Sequence, residues 1–107
     1  MARKAVPKAV MTDVKKLIHE LNNSDIHIDR AILFGSYAQG NETEYSDIDV
    51  ALVSKDFSGI RFDDNQRIAR KKMDINILIE THPYTPEDFE HSPFVRDEIL
   101  AHGVDVI

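Results

Sequence analysis

Cysteine is absent from the 107 residues. Without thiols there can be no disulfide and no thiolate-bound metal, and such a composition suits a cytoplasmic protein. Long apolar runs are missing too: nothing approaches the roughly 20 residues a membrane-spanning helix needs, so no membrane association is expected. The opening MARKAVPKAV is basic but lacks the apolar stretch of a signal peptide. Cations are in short supply, with 13 Lys and Arg against 19 Asp and Glu and a formal net charge of −6. A chain so charged is a poor general nucleic-acid binder. Surplus carboxylates suit a site for divalent cations, although a solvated acidic surface is their commoner cause. What remains is an ordinary hydrophobic fraction, 42%, in a length that fits one domain with one core over residues 1–107.

The apolar spacing organises this core. Val10, Val14, Leu17, Ile18 and Leu21 recur at helical intervals, which predicts an amphipathic helix over 8–22. Residues 26–34 read as a strand ended by Gly35, with a short helix from Ser36 that Gly40-Asn41 breaks. A polar loop then leads into a second strand over 47–53. Asp63 is placed to cap a helix over 64–72, and 73–79 reads as a third strand. Thr85-Pro86 begins a short helix; 93–102 forms a last helix stopped by Gly103, and 104–107 a short edge strand. There are no repeats and no low-complexity linkers. The order predicts an α/β fold, a three-to-four-stranded sheet with helices packed against it.

Within this pattern the second strand is anomalous. Asp47-Ile48-Asp49-Val50-Ala51-Leu52-Val53 would be a buried strand but for its two carboxylates. Strand side chains alternate, so Asp47 and Asp49 share a face and Ile48, Val50 and Leu52 the other. Their Cα atoms should lie about 6.5–7 Å apart, close enough to serve the same cations. In a third strand over 73–79, Asp74 would oppose Met73, Ile75 and Ile77 and could face the pair. Three crowded carboxylates repel one another. Mg²⁺ relieves that conflict, taking a few carboxylates and filling its shell from water and substrate phosphate. Two such ions are suited to in-line phosphoryl transfer. The competing reading is the wet face of an antiparallel strand. Gly35-Ser36 favours the site: glycine lets backbone approach a ligand, and a helix start presents N–H groups to phosphate, although a plain strand-to-helix turn would also use them.

Together, Gly35-Ser36 and Ser46-Asp47-Ile48-Asp49 resemble the signature of the DNA polymerase β-like nucleotidyltransferase superfamily. The string GSYAQG…YSDIDVALV is most similar to its minimal nucleotidyltransferases, the antitoxin partners of HEPN-domain toxins. The resemblance spans about Ile28 to Ile79, and the tail FVRDEILAHGVDVI also resembles the family's closing helix and strand. It implies a mixed sheet and transfer of a nucleoside monophosphate, AMP from ATP, with two Mg²⁺ ions as cofactors. It further implies Gly35 and Ser36 on the β- and γ-phosphates and Asp47 and Asp49 as paired metal ligands. Asp74 would be the third carboxylate, also helping to activate the acceptor hydroxyl, a tyrosine of the toxin. Many relatives carry Arg where this chain has Gln39, which leaves a phosphate or partner contact there unassigned.

Two rivals remain open: a non-catalytic module that neutralises its partner by contact, and a small-molecule nucleotidyltransferase such as an antibiotic-modifying enzyme. The latter usually carries an added helical domain, for which 107 residues leave little room. The five histidines show no zinc spacing. Arg70-Lys71-Lys72 reads as a solvated helix end, and Tyr37 and Tyr45 as packing residues.

Overall fold

A computed structural model describes residues 5–107. The first helix, α1, spans Lys8–Asn22 as its spacing predicts, and buries Val10, Val14, Leu17, Ile18 and Leu21 along one face. Each such side chain is worth about 1.5–3 kcal/mol relative to exposure, so packing rather than capping holds the helix; its N-cap, Pro7, makes no side-chain cap.

The chain reaches the sheet later than predicted. Strand β1 is Arg30–Phe34. Ile26 and Ile28 are buried, but side chains satisfy the backbone here: Ile28 N–H donates to Asn22 Oδ1 at 2.7 Å and His27 N–H to Asp56 Oδ2 at 2.8 Å. A single turn, α2 (Ser36–Gln39), follows, closed by Gly40 in the left-handed conformation. Strand β2 is Ile48–Val53, antiparallel to β1, with Leu33 opposite Val50 and Phe34 opposite Asp49.

The largest departure lies between β2 and the next strand. Helix α3 runs over Arg61–Ile75 and strand β3 over Ile79–Tyr84. Residues 73–78 are therefore not strand, only Ile79 of the expected run belongs to one, and the strand placement of Asp74 is corrected to the last turn of α3. The apparent alternation is the end of a helical pattern in which Asp64 and Ile68 are buried and Ile75 packs against the core. Met73 and Ile77, expected inside, are exposed. Asn76 ends the helix. Its Nδ2 donates to Asp13 Oδ2 at 3.0 Å, its Oδ1 accepts from Leu78 N–H, and its carbonyl accepts from Ile79 N–H. Nor does Asp63 cap α3. The helix begins after Ile60, and the buried Asp64 instead accepts from Ser58 N–H, Ser58 Oγ–H and Gly59 N–H at 2.8–3.0 Å.

Helix α4, Pro86–His91, has the expected cap, with Asp88 N–H donating to Thr85 Oγ1. Residues 93–102 are helical, with a π-helical stretch at Val95–Leu100, and β4, Val104–Asp105, ends the sheet.

The sheet order is β3-β2-β1-β4. β2 and β3 are parallel, joined by α3 as crossover, and β1 pairs antiparallel with both β2 and β4. This is the mixed sheet expected. On one face α1 and α3 cover Ala31, Leu33, Val50, Leu52 and Ile79. On the other, Ile32, Phe34 and Ala51 pack with Val95 and Ile99, flanked by Tyr84 and Phe89. Among the described residues no helix is long and apolar enough to cross a membrane.

Candidate active site

The carboxylate of β2, Asp49, emerges on the second, smaller-cored face, beside His82. Ile48, Val50 and Leu52 are buried beneath the helices of the first face, so strand alternation turns Asp49 the other way. Asp47 precedes β2 and is exposed. The turn before it is tied by Thr43 N–H to Ser46 Oγ at 2.9 Å and Ser46 N–H to the Thr43 carbonyl at 3.1 Å. Asp49 is more enclosed, with a quarter of its side chain, 26%, exposed.

Gly35 comes up against Asp49. It caps α2 with φ 78° and ψ −151°, a region open essentially to glycine alone. A Cβ on Gly35 would stand 2.5 Å from Asp49 Oδ2 and 3.3 Å from its Cγ. Glycine is thus required both by its own torsions and by the carboxylate, and its bare Cα keeps the space beside Oδ2 open. Ser36 follows, half-buried, at the start of the one-turn helix. The sequence spacing of Gly-Ser and Asp-x-Asp thus becomes a direct contact at the β1–α2 junction.

Asp49 Oδ1 lies 3.1 Å from His82 Nε2, and His82 Nδ1 lies 2.7 Å from Arg61 Nη2. The imidazole sits edge-on to Phe34, centroids 4.8 Å apart. The sequence alone gave His82 no role, because its partners lie 21 and 33 residues away.

Asp74 does not join this group. It is exposed on α3 and lines a cleft of about 280 Å³ with Lys16, Glu20, Arg70 and Lys71, beside helices that cover the opposite face. The carboxylate that register sets beside Asp49 is Glu80, its partner on the parallel strand β3. Glu80 is exposed at the sheet edge and borders a cleft of about 270 Å³ with Phe62, Gln66 and Lys72. Its signal in the sequence was the alternation Ile79-Glu80-Thr81-His82, masked by Pro83; an edge strand tolerates that proline.

The donor chemistry fits a hard cation, since Asp47, Asp49 and Glu80 offer only carboxylate oxygens. Among the described residues no three His, Asp or Glu side chains already converge on one point. Two carboxylates plus substrate phosphates match the way Mg²⁺ is commonly held.

The profile of the polymerase beta nucleotidyltransferase family matches residues 15–107. A protein of Methanocaldococcus jannaschii named as a protein adenylyltransferase, MJ0141, is 35% identical over 83 residues, 74% of this chain and 79% of its own. A Sulfolobus solfataricus protein described as a nucleotidyltransferase superposes with a TM-score of 0.64 at 18% identity, covering 92% of this chain and 86% of that one. A toxin–antitoxin crystallised with AMP-PNP superposes with a TM-score of 0.56 at 22% identity, covering 91% and 72%. At these identities the two structures speak to the fold, which is shared. The chain belongs to the polymerase beta nucleotidyltransferase family, and is a nucleotidyltransferase.

Proposed function

We propose that this nucleotidyltransferase moves AMP from ATP to a protein hydroxyl, a tyrosine of a HEPN-type toxin, and so acts as an antitoxin. The observation that carries the site is the contact of Gly35 with the Asp49 carboxylate. It joins the turn suited to phosphate to the strand suited to cations. The choice of acceptor is supported by the relative named as a protein adenylyltransferase and by the toxin–antitoxin fold neighbour.

In this reading Asp47 and Asp49 hold two Mg²⁺ ions, and Glu80 takes the third-carboxylate role expected of Asp74. When bound, such ions neutralise the triphosphate and polarise the phosphoryl group under attack. Gly35 and the Ser36 N–H and hydroxyl seat the β- and γ-phosphates. The acceptor oxygen bonds to the α-phosphorus as the bond to the β-phosphate oxygen breaks and pyrophosphate leaves. Glu80, on the open edge of the sheet, is the carboxylate accessible to the acceptor's proton. The protein chiefly positions groups and neutralises charge, as in phosphoryl transfer generally.

The test is incubation of the chain with its partner toxin and ATP labelled at the α-phosphate. Label on a toxin tyrosine supports the proposal. Tight binding without label would leave a module acting by contact, and label on a small hydroxylated compound alone would assign a different acceptor class.

A further inference from the structure

We propose that His82 is a positioning residue for Asp49, fixed in one tautomer by Arg61. The proposal rests on the reading of Asp49 as a cation ligand. A guanidinium can only donate hydrogen bonds. Arg61 Nη2, 2.7 Å from His82 Nδ1, therefore requires a lone pair on Nδ1. The ring proton then resides on Nε2, which donates to Asp49 Oδ1 at 3.1 Å.

The ring is held on its other sides as well. It packs edge-on against Phe34, and Phe34 is in turn edge-on to Phe94 with centroids 5.9 Å apart. Only 15% of the His82 side chain is exposed. Asp49 is consequently gripped at one oxygen and bounded at the other. Oδ1 accepts from the imidazole, while Oδ2 faces Gly35, where a methyl group would be 2.5 Å away. This leaves Oδ2 the oxygen presented to a cation, with the carboxylate's rotation about its last bond suppressed.

Arg61 is the first residue of α3, and His82 lies on β3. The βαβ crossover that sets β3 beside β2 thus also delivers both members of the relay. Partners of ligating carboxylates and histidines hold their ligands in place, and losing one typically costs about 10–100-fold in metal affinity or activity.

The experiment uses Mn²⁺ as probe and the full chain without nucleotide, with free Mn²⁺ followed by electron paramagnetic resonance. His82→Ala should weaken Mn²⁺ binding about 10–100-fold. His82→Gln, whose amide N–H reaches a similar point, should recover most of it, and Asp49→Asn should abolish it. In ¹⁵N-histidine spectra of the unmodified protein, His82 should be the Nε2–H tautomer; Arg61→Met should erode that preference. Unchanged or tighter Mn²⁺ binding in His82→Ala, with binding lost in Asp49→Asn, overturns the positioning role alone. Binding retained in Asp49→Asn overturns the cation site and this proposal with it. Should His82→Ala not fold, the spectrum decides, because an Nδ1–H tautomer in the unmodified protein refutes the relay.

Discussion

On one face of the sheet Ile48, Val50 and Leu52 are sealed beneath α1 and α3, in a cluster that also takes in both outer strands and the whole apolar stripe of α1. On the other face of the same strand only Ala51 belongs to a core, a small one built with Ile32, Phe34, Val95 and Ile99. Beyond its edge come Asp49 and His82, with the exposed Asp47 just ahead of the strand. One strand thus serves two ends by alternation alone. Its even-numbered residues contribute stability, and among its odd-numbered residues Asp49 leaves apolar contact for chemistry while Ala51 and Val53 stay buried. The difference teaches that the two properties should be separable by mutation, residue by residue along β2.

Breaking the comparison outright gives the largest effect. Asp47→Asn and Asp49→Asn should each reduce AMP transfer to background in a labelled-ATP assay while leaving the thermal midpoint near its original value. Leu52→Ala, between them and the strand's end but on the other face, should do the reverse. It should cost about 2–5 kcal/mol in urea unfolding, with transfer per folded molecule preserved. Transfer lost with Leu52→Ala under conditions where the protein is fully folded would show that the faces are coupled.

Next in size is the exchange of roles between Asp74 and Glu80. Glu80→Gln should slow single-turnover transfer about 10²–10⁴-fold, the usual worth of a positioned general base, and should weaken ATP affinity much less. Asp74→Asn, on the exposed end of α3, should leave the rate within about twofold, as surface substitutions mostly do. A slow Asp74→Asn enzyme alongside a normal Glu80→Gln enzyme would reverse the assignment.

Much of this was legible in the sequence. The stripe from Val10 to Leu21 specified α1 to the residue, Thr85-Pro86 specified the start of α4, and alternation, which needs no knowledge of neighbours, turned Asp49 away from Ile48, Val50 and Leu52, although Asp47 falls just ahead of the strand. The end of α3 was not legible. Met73 to Ile79 alternates as a strand does, and what decides the matter is tertiary: Asn76 reaches Asp13 on α1 and turns the chain. That shift of elements moved Asp74 out of the sheet and Glu80 into it. The relay through His82 was beyond sequence reasoning for the same reason, since nothing local links Asp49, Arg61 and His82.

A moderate effect is expected at Gly35. Gly35→Ala forces an alanine into a positive-φ region, at a cost of about 1–3 kcal/mol, and drives its methyl at the Asp49 carboxylate. ATP affinity by calorimetry should fall by more than the melting temperature alone accounts for. Gly103→Ala makes the contrasting case on the structural side. A Cβ there collides with the Ile99 carbonyl and stands 2.5 Å from Ile32 Cγ2. Unfolding should become easier by about 1–3 kcal/mol, the usual toll of overpacking, with ATP affinity unchanged.

The smallest effect is one of pH. Burial raises the Tyr84 phenol above its ordinary 10.0, with Arg61 opposing. The neutral phenol is therefore the form the fold prefers. Its contribution is intact below about pH 10 and is lost as pH rises through the raised value. Tyr84→Phe should flatten the last part of the alkaline unfolding curve and leave the neutral and acid parts alone.

Asp64, buried among the donors of Ser58 and Gly59, has a consequence for time rather than structure. Those two amides belong to exposed loop residues, where hydrogen exchange with solvent is ordinarily fast, yet both are committed to a carboxylate that water scarcely reaches. Their exchange should be slow and should run in step with the opening of α3, so that two loop amides keep the clock of a helix.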